Sequence, residues 1–92
     1  MIEPFSYNIG AFDPSWRPML ESFILTVRKL AKHYHLPIIH MDDYMQTWKK
    51  MYAQEDILGD GVHPSELGHR LMAHVIKPIL RNHLLHIQEK NL

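Results

Sequence analysis

The sequence predicts an α/β protein, the C-terminal βαβα portion of a doubly wound parallel sheet. Three observations carry that expectation. Apolar residues recur at helical spacing from Trp16 to Tyr34, and a short apolar run follows at Leu36–Ile39. A last helical pattern then opens after a loop centred on Gly59-Asp60-Gly61.

Each element has its own signal. Ile2-Glu3-Pro4-Phe5 is a short apolar piece whose proline suits the end or edge of a strand. From about Ser15 to Tyr34 the spacing predicts a helix with Trp16, Leu20, Phe23, Val27, Leu30 and Tyr34 inward, capped by Asp13 or Ser15. Leu36 to His40 reads as a strand buried on both faces. Asp42 or Asp43 caps a second helix reaching about Tyr52, with Met45 and Trp48 inward, and Glu55 to Val62 reads as a loop. Pro64 at a helix N1 position opens the last helix, striped by Leu67, Leu71, Val75 and Ile79. Pro78 should kink or split it, and residues 88–92 should fray. Two short parallel strands rarely stand alone, so residues 1–92 read as a single partial domain whose other strands precede Met1.

Composition narrows the function classes. Ten basic residues balance ten acidic ones, which gives no electrostatic case for nucleic acid or an anionic membrane. With no cysteine there is neither a disulfide framework nor a thiolate site. No signal-peptide pattern and no membrane-length apolar run is present, so a cytoplasmic protein is expected.

The chemistry-bearing stretch is Asp60-Gly61-Val62-His63-Pro64-Ser65, continuing to Gly68-His69. A carboxylate three residues before an imidazole can bind one ring nitrogen, fix the tautomer and leave the other nitrogen to accept a proton. The same residues can also be a glycine-flanked turn beside a helix cap.

This block, with the apolar helix carrying Ala73 behind it, resembles the final signature of the SGNH/GDSL hydrolases, nearest to bacterial esterases related to carbohydrate acetylesterases. The resemblance implies a three-layer, flavodoxin-like fold and ester hydrolysis on small esters such as acetylated sugars. It gives Asp60 and His63 the acid and base positions of a Ser-His-Asp triad, with no metal or cofactor. The family's Gly-Asp-Ser nucleophile block and Gly-x-Asn block do not occur here. The serines are Ser6, Ser15, Ser22 and Ser65, none in a nucleophile-like setting, so the chain alone is expected to be inactive.

Two other readings stand beside this one. The chain could be a non-catalytic interaction module, self-associating through an open sheet edge. Eight histidines are present, and His33, His35 and His40 with Asp42 and Asp43 could hold a metal. Surface imidazoles at a helix end are the simpler account of His33 and His35. His69 reads as a packing residue; His74, His83 and His86 read as solvent-facing. The methionines and both tryptophans read as core.

Overall fold

A computed structural model describes residues 1–90 and shows a helical protein without a sheet. A 3₁₀ turn at Pro14–Trp16 leads into α1 (Arg17–His33), followed by α2 (Met41–Trp48), the short α3 (Gln54–Ile57) and α4 (Glu66–Lys90). Strand geometry among the described residues is confined to two isolated bridges, Ile2 to Ile39 in parallel and Leu58 to Pro64 antiparallel. The α/β expectation is therefore corrected.

The physical reason lies in the residues around the parallel bridge. Glu3 N–H donates to the Ile39 carbonyl (3.0 Å), and Ile39 N–H donates to that of Met1 (2.8 Å). Met1 continues the pairing one bond further, its ammonium donating to the Pro37 carbonyl at 2.6 Å, and Pro4 faces away from the partner as alternate residues do. The next bond would run from Met41 N–H to the Glu3 carbonyl, but Met41 opens α2 and its amide bonds to the Ile39 carbonyl instead, at 2.8 Å. The pairing ends there. Among the described residues there is therefore no sheet edge of the kind expected.

The core is built from Tyr7, Ile39, Met41, Met45, Trp48, Ile57 and Leu58, with the α4 residues Leu67, Leu71, Val75 and Ile79 packed against it. Those four are the residues that the sequence pattern turns inward. Helix α4 runs through Pro78 to Lys90 without the split that the proline could have made. The amide that proline lacks would have served the carbonyl of His74, an exposed residue, where water can take its place. Of the expected frayed segment, Gln88 to Lys90 are helical; Asn91 and Leu92 lie outside the described residues.

Helix α1 departs furthest from its pattern. It buries Ile24 and Ala31, whereas Trp16, Phe23, Leu30 and Tyr34 are exposed. Two ion pairs select that face. Arg17 holds Asp42 through both carboxylate oxygens, and Arg28 Nε lies 2.6 Å from Glu3 Oε2. Arg17 and Arg28 are three turns apart, hence on one side of the helix. Asp42 and Glu3 are buried, and an unpaired buried carboxylate costs about 3–5 kcal/mol. Each apolar side chain left in water forfeits only about 1.5–3 kcal/mol. The charges therefore compete with the stripe on equal terms, and here they set the rotation. Near Asp42, burial pushes the Tyr7 hydroxyl up to about 12, and it donates to the Met45 carbonyl at 2.5 Å.

At the end of α1, His35 adopts φ 53°, with Leu36 N–H closing on the Ala31 carbonyl at 2.8 Å. This is the left-handed helix stop that glycine fills without strain. His35→Gly is expected to stabilise the fold by about 0.5–1 kcal/mol in urea unfolding. Arg17→Met, which strands Asp42, is expected to lower stability by about 3–5 kcal/mol in the same assay.

Candidate functional site

Asp60 and His63 lie on a loop whose backbone is held at several points. The Leu58–Pro64 bridge closes its base. Ser65, just before α4, shapes its exit. Its hydroxyl accepts from Gly68 N–H at 3.1 Å and donates to the Ile57 and Asp56 carbonyls. Ser65 is thus a helix cap rather than the first-turn residue expected, and Pro64 sits in the bridge rather than at N1.

The segment from Tyr7 to Phe12 presses against the loop. Tyr7 N–H donates to the Gly61 carbonyl and Ala11 N–H to that of Asp60, each at 2.9 Å. Two glycines make the approach possible. Gly61 has φ 89°, and a Cβ there would lie 2.3 Å from the Ile9 carbonyl oxygen. Gly10 has φ 59°, and its Cβ would lie 2.7 Å from Asp60 Cα. Neither position admits a side chain without moving backbone.

Within this frame Asp60 does two jobs. Its Oδ1 accepts from the amides of Val62 (3.0 Å) and His63 (2.7 Å), an Asx-type turn. Its Oδ2 lies 2.5 Å from His63 Nδ1. The His63 amide and ring, followed by the Val62 amide, hold the Asp60 carboxyl well below the usual carboxylate range. An ionised Asp60 can only accept, so neutral His63 carries its proton on Nδ1 and presents Nε2 as a bare acceptor. The imidazole is 85% exposed. Orientation by a carboxylate and a free basic nitrogen are the chemical properties of a general base.

The pair stands open to solvent on the His63 side. A polar cleft of about 380 Å³ is lined by Ser6, Tyr7, Asn8, Arg17, Gln46 and Lys49, among others, but not by Asp60 or His63. Ser65 is bound to backbone carbonyls, and Ser6 is buried with its hydroxyl unpartnered.

The proposed histidine cluster is not assembled as expected. His33 packs edge-on to Tyr34, and Asp42 is turned to Arg17. Instead Glu3, His40 and Asp43 lie together, with His40 Nδ1 2.7 Å from Glu3 Oε2. The Arg28 guanidinium, bound to Glu3 and 3.6 Å from Asp43, already supplies the cation there. His69 is exposed rather than packed, and Trp16, Met19 and Met51 are exposed rather than core.

Sequence reading missed Glu3 and its partner Arg28, which are distant in the chain and carry no local signature. It also missed that Gly10 abuts Asp60. The only available signal was a turn-prone Asn8-Ile9-Gly10.

Comparison with family models, with curated proteins and with solved structures returns no match. The geometry of this loop is therefore what bears on function.

A carboxyl titration followed by NMR should find Asp60 ionised to lower pH than the other aspartates, with its midpoint rising in His63→Ala. Because the folded-state value is depressed, the stabilisation from Asp60 is present above pH ~4 and is lost as pH falls toward that folded value. Gly61→Ala should cost more than about 2 kcal/mol and free the loop, visible as faster amide exchange at Val62 and His63.

Proposed function

We propose that Asp60 and His63 form the orienting acid and general base of an ester-hydrolase site of SGNH/GDSL type. One observation supports this reading above the rest: the 2.5 Å contact between Asp60 Oδ2 and His63 Nδ1, with Nε2 left unoccupied and open. In such a site Nε2 takes the proton of a serine hydroxyl as that oxygen attacks the ester carbonyl. It then returns the proton to the leaving alcohol. Asp60 stabilises the imidazolium between the two steps and keeps the ring from rotating. An acyl-serine intermediate would then be cleared by water, with the same nitrogen as base.

The nucleophile and the oxyanion donors are the parts this chain does not supply in a reactive position. Ser65 is bound to the carbonyls it reaches, and Ser6, at the wall of the polar cleft, is buried. The proposal therefore assigns this chain the proton-transfer half of the chemistry. The substrate class, small esters including acetylated sugars, rests on the resemblance of the 60–69 block alone.

Acylation of imidazoles by diethylpyrocarbonate tests the poise of His63 directly. At pH 8, mapped by mass spectrometry, His63 should react fastest of the eight histidines, and Asp60→Asn should slow it several-fold. His63 reacting no faster than other exposed histidines, or unaffected by Asp60→Asn, would sink the assignment. In parallel, p-nitrophenyl acetate should be turned over no faster by this chain than by an equivalent of free imidazole. Turnover well above that level and abolished in His63→Ala would mean that a nucleophile is present within the chain.

A further inference from the structure

The walls of the polar cleft hold more hydrogen-bonding capacity than the fold uses. Its volume of about 380 Å³ lies within the roughly 300–1,000 Å³ of small-molecule sites. Four stretches of chain converge on it: the 6–8 segment, the first turns of α1, the end of α2 and the start of α3. Asn8, Gln46 and Gln54 bring three carboxamides to its lining. No hydrogen bond among the described residues occupies any of those side chains.

Charge narrows the ligand. Arg17 also reaches the cleft, but both carboxylate oxygens of Asp42 already meet its guanidinium, and its Nη1 bonds the Ser6 carbonyl at 3.3 Å. Arg17 and Asp42 together are neutral. One negative and one positive side chain then remain at the lining, Glu21 and Lys49. Glu21 touches Arg17 Nε at 3.4 Å and stays 62% exposed. Lys49 joins no ion pair among the described residues. A simple anion would meet Glu21 and a simple cation would meet Lys49. A neutral polyol would leave both without a counter-charge. A ligand carrying both signs satisfies the two at once.

We infer that the cleft binds a short peptide with free termini, its ammonium toward Glu21, its carboxylate toward Lys49 and its peptide units against the carboxamides. A carboxamide offers a C=O acceptor and N–H donors, the same functions that a peptide unit carries, so the two pair in both directions. A free amino acid has the charges but no peptide unit to engage the carboxamides. The inner wall adds a further group. Ser6 is 1% exposed there, and its buried hydroxyl has no protein partner. A hydroxyl left in that state costs free energy that a hydrogen bond to a ligand recovers. Tyr7 beside it is already engaged, its hydroxyl donating to the Met45 carbonyl. The inference stands apart from Asp60 and His63, which do not line the cleft.

Trialanine, titrated into the full chain, tests this through the side-chain NH2 signals of Asn8, Gln46 and Gln54 in NMR spectra. The expected result is saturable movement of all three with a dissociation constant of about 1 mM. Trialanine amide, which lacks the carboxylate, and N-acetyl-trialanine, which lacks the ammonium, should each bind about 5-fold more weakly or worse. Lys49→Gln should weaken trialanine by a similar factor and leave trialanine amide unaffected. Glu21→Gln should weaken trialanine and leave N-acetyl-trialanine unaffected. Both residues are exposed, so circular dichroism should not change in either variant. Lys77→Gln, on the exposed side of α4, should leave binding intact. No movement at about 10 mM peptide overturns the inference. So does binding that survives both charge substitutions, a doubly blocked trialanine that binds as tightly as the free peptide, or methyl glucoside taking the cleft in its place.

Discussion

The contact between the 7–12 segment and the Asp60-Gly61 backbone is the constraint on which the rest of this small structure depends. Its bonds run from the amides of Tyr7 and Ala11 to the carbonyls of Gly61 and Asp60. They join the first dozen residues to a loop some fifty positions later, and they do so where no sheet exists to hold either. The approach is close enough that a single added methyl at Gly10 or Gly61 would collide with main chain. Main chain against main chain leaves little freedom, so the Asp60 carbonyl is fixed on one side while its carboxylate is free to act on the other. The short distance to His63 follows from that fixation and from the Asx turn, without help from burial.

Two buried carboxylates organise what the clamp does not. Asp42 and Glu3 would each destabilise the fold by several kcal/mol if unpaired, and both find arginines on α1. Their spacing decides which side of α1 meets the core. Ile24 and Ala31 come inward with the arginines, and the richer apolar stripe is turned away. The result is a thin core with polar anchoring, in a chain that leaves large side chains such as Trp16, Met19 and Phe23 in water.

How much of this could be read in the sequence follows the range of each interaction. Asp60 and His63 are three residues apart, with glycines at Gly59 and Gly61, and local spacing suffices to bring a carboxylate to an imidazole. The α4 stripe was legible for the same reason: Leu67, Leu71, Val75 and Ile79 repeat within one element. Rotation of α1 was not, because it is set by Glu3 and Asp42, each 25 residues from its arginine. Hydrophobic periodicity counts apolar residues and is blind to a partner that distant. The strand at Leu36 to His40 is cut short by its neighbour in sequence: α2 begins at Met41, whose amide closes on the Ile39 carbonyl rather than reaching Glu3. The short α3 at Gln54–Ile57, where a loop was expected, also escaped a four-residue window.

The openness of the candidate site has a physical consequence of its own. An acid–base pair gains catalytic strength when water is excluded around it, since a proton acceptor in bulk solvent is screened and disordered by its surroundings. His63 has the orientation of a working base but not the enclosure, with 85% of its ring in water. A chain of this size has little interior to enclose anything. Its apolar side chains are already divided between a small core and a surface stripe. On the proposed reading, enclosure of the pair would come from surface packed against the 60–63 loop itself.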